Sequence, residues 1–184
     1  MKRRLTEKIL GLMLIVLSGS GCIFGGISNE VRSYDLERDL KRESVLSCRI
    51  NFALFRNLSG SDRRFLERHK AGRMQADEFN RWILDPELLL ERYFRGNFRG
   101  TGKELVRVRG VITSFEIDME RKEAVLEIDF MLFCDGRSSR VLCRSRQKIG
   151  DMDRKESFVR AMSRCAADIS DQLKRRLIGF SEEK

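Results

Sequence analysis

Apolar residues along this chain change their spacing several times, and each change predicts an element. An unbroken run, Ile9 to Leu17, opens the chain, and a short strand pattern, VRSYDL, follows it. ERDLKRES reads as a loop or a helical turn. In VLSCRINFALF the residues Leu46, Cys48, Ile50, Phe52 and Leu54 alternate with mostly polar ones, the period of two that marks a half-buried strand. RNLSGSDRRFLERHK lacks that period and reads as an exposed loop with a helical turn, and GRMQADEF as a short edge strand. LDPELLLERYF has the signals of a helix start: Asp85 to cap, Pro86 at the first position and Glu87 in the first turn. Leu90, Phe94 and Phe98 then share one face, and the Gly-rich RGTGKE ends the element.

ELVRVRGVITSFEIDM predicts a long strand whose apolar phase moves from Val106, Val108 and Ile112 to Phe115, Ile117 and Met119. Such a shift predicts a bulge between Gly110 and Ser114. ERKE turns the chain into AVLEIDFMLFC, where Ala124, Leu126, Ile128, Phe130 and Leu132 face one way. RVLCRSRQKIG returns after DGRSSR and completes an antiparallel meander. The last element opens on the capping-box-like DRKE, Asp153 to Glu156. Phe158, Met162, Cys165, Ile169 and Leu173 then recur at helical spacing. The fold class expected is α/β (α+β). It comprises one domain over residues 45–184, with a mixed, mostly antiparallel sheet, a C-terminal meander and two main helices packed on it.

The opening run has nine apolar residues, and at about 1.5 Å per helical residue it covers well under half of a ~30 Å hydrocarbon core. Lys2, Arg3, Arg4 and Lys8 precede or flank it, and Ser18, Gly19, Ser20 and Gly21 follow, the order of a secretory signal peptide over residues 1–21. Ser20-Gly21-Cys22 resembles a bacterial lipobox, in which the cysteine is acylated and becomes the mature N-terminus. Gly19 stands where a lipobox usually has Leu. An exposed, unpartnered thiol at the tip of an exported protein would be a reactive liability, which favours acylation of Cys22. Residues 22–44 then form the lipidated cysteine, a flexible linker and a short N-terminal segment. Ile23 in place of Asp after the cysteine points, under enterobacterial sorting, to the periplasmic side of the outer membrane, with the inner membrane as the alternative.

Removal of residues 1–21 leaves 163 of 184 residues, enough for one domain with a substantial core. The chain carries +9; the removed segment holds four cations and one acid, so the mature part keeps about +6. Export argues against nucleic acid as the reason for this charge. Cys48, Cys134, Cys143 and Cys165 are even in number, which permits disulfides. Spanning DGRSSR as the turn sets Cys134 opposite Val141 and Cys143 opposite Leu132. Diagonal cysteines are then too far apart, so buried free thiols are expected.

Little points to chemistry. His69 is the one histidine and reads as a solvated loop residue. No GxSxG, Walker, HExxH, GxGxxG, EF-hand or zinc spacing is present, so neither an enzyme nor a metal or cofactor is expected. Glu116, Asp118, Glu127 and Asp129 alternate with apolar residues and read as a solvated sheet face. Phe79, Arg81 and Trp82 in FNRW are types enriched where interfaces concentrate energy, and make a candidate docking surface; a staple at the helix entry is the structural reading of Trp82.

The YDL of Tyr34 to Leu36, FNRW, DPELLLERYF, VITSFEID and FCDGRSSRVLCRSRQKI follow in an order that resembles the ABC-type transport auxiliary lipoproteins, the PqiC-like family. The resemblance spans nearly the whole mature chain, and departs from the family at the lipobox, at Asp62 to Gly72 and in cysteine content. It implies a lipid-anchored periplasmic subunit that is not an enzyme. That subunit would dock to an MCE-type component of an ABC lipid transport system, and a homo-oligomer is compatible with it. A structural assembly lipoprotein of the TolB or secretion-accessory type is the alternative.

Overall fold

Where apolar residues alternate, strands form, and where they recur every third or fourth residue, helices do. The computed structural model describes residues 30–37 and 44–182, apart from the side chains of Ser44, Leu54 and Glu182. The expected signal peptide over residues 1–21, Cys22, most of the expected linker and most of ERDLKRES lie outside the described residues. The elements are β1 (Arg32–Tyr34), β2 (Ser44–Leu46), β3 (Arg49–Asn57), β4 (Arg64–Arg68), β5 (Met74–Trp82), α1 (Pro86–Asn97), β6 (Phe98–Gly100), β7 (Leu105–Asp118), β8 (Glu123–Cys134), β9 (Arg137–Lys148) and α2 (Lys155–Glu182).

The main sheet runs β1-β5-β4-β7-β8-β9, with β3 also on β7. β7 pairs antiparallel with β8 along its whole length. Its other side is shared: parallel β3 takes Leu105 to Ile112, and parallel β4 takes Ile117 and Asp118. Antiparallel pairing dominates through the meander, and β2 and β6 form a small parallel pair of their own. The compact unit runs from Val31 to Lys184, and β1 pairs with β5 inside it.

The expected bulge is present, as a register shift between Ile112 and Ser114. Ala124, Leu126, Ile128, Phe130 and Leu132 are fully buried, and so are Met162, Cys165, Ile169 and Leu173 of the facing α2. Each large side chain so buried contributes about 1.5–3 kcal/mol, which is why the meander and α2 hold one another. α1 adds Leu89, Leu90 and Phe94 to the same core, with the Phe94 ring stacked 5.8 Å from that of Phe55.

Several local expectations are corrected. RNLSGSDRRFLERHK contains β4, a strand between β5 and β7 with Phe65 and Leu66 buried, because Arg68 finds Glu116 on β7 and Glu67 finds Lys155 on α2. GRMQADEF belongs to a nine-residue strand flanked on both sides, not to a short edge strand. VLSCRINFALF is broken at Ser47 and Cys48, and a register shift after Phe52 turns Phe55 into the core.

α1 starts at Pro86 as expected, but Asp85 makes no side-chain cap; its carbonyl accepts Leu89 N–H at 2.9 Å. α2 starts at Lys155, so Asp153 lies outside its first turn. The meander turn is only Asp135-Gly136, both with positive φ, which sets Cys134 opposite Arg137 and Cys143 opposite Ile128. Such a two-residue turn matches the strand twist, and Gly136 takes its φ of +79° without a Cβ clash. All four of these cysteines are buried and free, as expected.

Candidate functional site

The stretch FNRW ends β5, and its side chains divide between surface and core. Phe79 is 40% exposed, Arg81 is half-buried and Trp82 is 1% exposed. Trp82 sits among Phe65 at 4.7 Å, Phe115 at 5.1 Å and Phe158 at 5.6 Å. Its main-chain N–H donates to the Arg63 carbonyl at 2.6 Å, and the Arg63 guanidinium donates to Ile83 O at 2.6 Å. Trp82 is therefore a packing residue that fixes the end of β5, and the surface consists of Phe79 and Arg81.

A local irregularity brings Phe79 out. β4 advances from Arg64 to Leu66 while β5 runs from Arg81 back to Ala76, so Asp77 to Asn80 bulge from the ladder. The Asp77 carboxylate closes the bulge: Oδ1 accepts the N–H of Phe79 at 2.9 Å and of Asn80 at 3.1 Å. Asn80 also donates its amide to Asp77 Oδ2 at 3.0 Å and accepts the Tyr34 hydroxyl at 3.3 Å. On the ladder itself, Arg81 lies directly opposite Arg64. Arg64 is held by both oxygens of Asp62, whereas Arg81 makes no ion pair with a described residue. Asp62 thus neutralises Arg64 and eases the repulsion between the two facing guanidinium groups, leaving Arg81 as the cation of this corner without an ion pair among the described residues.

Beneath the bulge lies a polar cluster that sequence reading missed. Lys155 Nζ, at the first residue of α2, donates to Glu67 Oε1 at 2.8 Å and pairs with Asp77 Oδ2 at 2.9 Å. Burial pushes the Asp77 pKa up, but Lys155, the two N–H groups and the Asn80 amide outweigh it and hold this carboxyl below its ordinary range. Burial likewise acts to lower Lys155, and its two carboxylate partners raise it above the usual lysine value. His69 is not a solvated loop residue. It follows β4 with its Nε2 3.5 Å from Glu67 Oε2 and its side chain about a quarter exposed. Glu116 is also no surface acid, being 5% exposed and paired with Arg68, whereas Glu127 pairs with Arg144 and Asp129 with Arg140 across the meander. No sequence period marks this cluster, since its members come from β4, β5, β7 and α2.

Burial pushes the Cys143 thiol up to about 11 and the Cys165 thiol up to about 12. Both stay protonated at neutral pH. Among the described residues no group of three His, Cys, Asp or Glu side chains is arranged for a metal ion, and no helix is long and apolar enough to cross a membrane.

No protein-family model matches the chain, and no curated protein is detectably similar to it in sequence. Solved structures do share its fold. A crystal structure of an uncharacterized protein superposes with a TM-score of 0.63 at 12% identity, covering 80% of this chain and 99% of that one. A protein from Xanthomonas campestris, described as DUF330, gives a TM-score of 0.54 at 14% identity over 78% of this chain and 91% of its own. The likeness is one of fold.

Proposed function

We propose that this chain is a lipid-anchored, non-catalytic docking and tethering subunit of an MCE-associated ABC lipid transport system, held at the periplasmic side of the outer membrane through acylated Cys22. PqiC-like proteins belong to DUF330, the family of one fold neighbour. The observation that carries the reading is where the resembled motifs fall in this fold. YDL begins on β1 beside FNRW on β5, with Tyr34 opposite Trp82. DPELLLERYF is α1, VITSFEID is the second half of β7, and the Gly-Arg turn joins β8 to β9. Segments that each match weakly in sequence are thus the parts of one domain.

The docking surface is Phe79, carried on the Asp77 bulge, and Arg81, on the ladder just after it. Arg81, which has no ion pair among the described residues while Arg64 opposite it is held by Asp62, would favour a partner surface bearing carboxylates. The test is a pull-down of the MCE-type subunit from envelope extracts with wild type, Phe79→Ala and Arg81→Glu, alongside melting temperatures. Loss of capture at unchanged melting temperature supports the docking reading. Undiminished capture moves the interface elsewhere, and failure of wild type to capture any MCE subunit removes the transport reading.

A further inference from the structure

β9 closes one side of the main sheet, and its far side pairs with no described strand. It is twelve residues long, whereas β1 at the other side has three. The two-residue turn makes Cys134 and Arg137 the first hydrogen-bonded pair, and the register with β8 continues unbroken. By alternation, Arg140, Leu142, Arg144 and Arg146 turn their N–H and C=O away from β8. Gln172 confirms that direction, because its Nε2 comes from α2 to donate to the Arg144 carbonyl at 3.0 Å. Among the described residues, the outward main-chain groups of Arg140, Leu142 and Arg146 have no such partner.

Beside this edge runs a groove of about 300 Å³ between β9 and the last turns of α2. Leu132, Val141 and Phe180 line it together with Arg140, Leu142, Arg175 and Arg176, and no acid is among the lining residues. Leu142 is 58% exposed, an unusual amount for a leucine in mid-strand. Arg140 is already engaged by Asp129. Arg175 and Arg176 make no ion pair with a described residue.

We propose that β9 takes up an extended acidic segment of a partner protein by strand addition. The main chain of that segment would pair with Arg140 and Leu142, stopping short of Arg144, whose carbonyl Gln172 already occupies. Its side chains would fall alternately on the groove, where carboxylates meet Arg175 and Arg176, and on the outer face beside Leu142. A second copy of β9 fits poorly, because Arg140, Arg144 and Arg146 share one face and would be set against the same residues. An anionic lipid headgroup would meet the guanidinium groups but leave the alternating N–H and C=O unpaired. This edge is separate from Phe79 and Arg81, and the inference stands whether or not the transport reading holds.

The probe is a fluorescein-labelled octapeptide alternating glutamate and valine, titrated by anisotropy into the full chain in detergent. A lysine-valine counterpart and phosphatidylglycerol vesicles are run beside it. The glutamate peptide should bind, with the lysine peptide at least roughly tenfold weaker. Leu142→Pro removes an outward N–H without touching the ladder to β8, and should abolish binding at unchanged melting temperature. Paired Arg175→Glu and Arg176→Glu should weaken it as well. In wild type, the glutamate peptide should slow hydrogen exchange at the amides of Arg140 and Leu142, a measurement that decides the matter if Leu142→Pro lowers the melting temperature. No binding of the glutamate peptide, full binding by a stable Leu142→Pro, or unslowed exchange overturns strand addition. Binding to vesicles with none to peptide assigns the patch to the membrane instead.

Discussion

Lys155 Nζ stands 2.8 Å from Glu67 Oε1, which ties the first residue of α2 to the middle of β4. Its second carboxylate, Asp77, is the residue that shapes the bulge under Phe79. Replacing Lys155 by Met leaves two carboxylates facing each other with little water. The expected loss is about 2 kcal/mol, less than the ~3–5 kcal/mol of a fully buried pair because Lys155 is partly exposed. Urea unfolding measures it.

The same pair sets a pH dependence. The Asp77 pKa is lowered from 3.8, so its contribution is fully present above that value and is lost as pH falls through the lower folded value. The Lys155 pKa is raised from 10.5, so its contribution is present below that value and lost as pH rises through the higher folded one. In Lys155→Met, burial dominates at Asp77, and the acid-side slope of stability should shrink or change sign. An unchanged slope in acid titrations of the variant would show that Asp77 is held by its N–H donors alone.

Gly110 on β7 faces the ring of Phe55, and a Cβ there would lie 2.6 Å from Phe55 Cε1. Phe55 is itself clamped between Phe94, stacked at 5.8 Å, and Phe130, edge-on at 6.1 Å, so it has little room to retreat. Gly110→Ala should cost about 1–3 kcal/mol by overpacking. Combining it with Phe55→Leu should recover part of that loss, which thermal unfolding of the single and double variants would show.

Cys48, Cys134, Cys143 and Cys165 are all within the core, and burial raises the pKa of each thiol. Iodoacetamide at pH 8 should therefore leave all four unmodified in the folded chain and label them in urea. Intact mass before and after unfolding checks this, and labelling of any one under native conditions would mark a local opening.

Acylation of Cys22 is expected from the short apolar run and the Ser20-Gly21 pair that precede it. A fatty-acid probe fed to cells should label wild type and not Cys22→Ala. Equal labelling of the two would place the lipid elsewhere, and absence of label from both would remove the anchor.

The long elements were legible because one periodicity governs each of them. Ala124 to Leu132 alternate without interruption and are all buried, and Phe158 to Leu173 keep helical spacing over several turns. β4 was not legible, because Glu67 and Arg68 interrupt Phe65 and Leu66 with charges whose partners, Lys155 and Glu116, are remote in sequence. β5 hid for another reason: the bulge at Asp77 to Asn80 erases its alternation. Ordinary strand alternation then turns Trp82 into the core beside the less buried Arg81, in keeping with the staple reading of Trp82. The polar cluster beneath them exists only after β4, β5 and α2 have met.

β7 offers one side to two strands that precede it in the chain, β3 and β4. During synthesis from the amino end, neither has that neighbour until residues 105–118 emerge, and before then β4 and β5 can pair locally. Residues 105–182, by contrast, hold β7, β8, β9 and α2 in sequence, with short connections. Local pairing is fast and distant pairing slow. The carboxyl half should thus collapse first and act as the template on which the amino half docks, so that the chain stays open through most of its synthesis and closes only near the end.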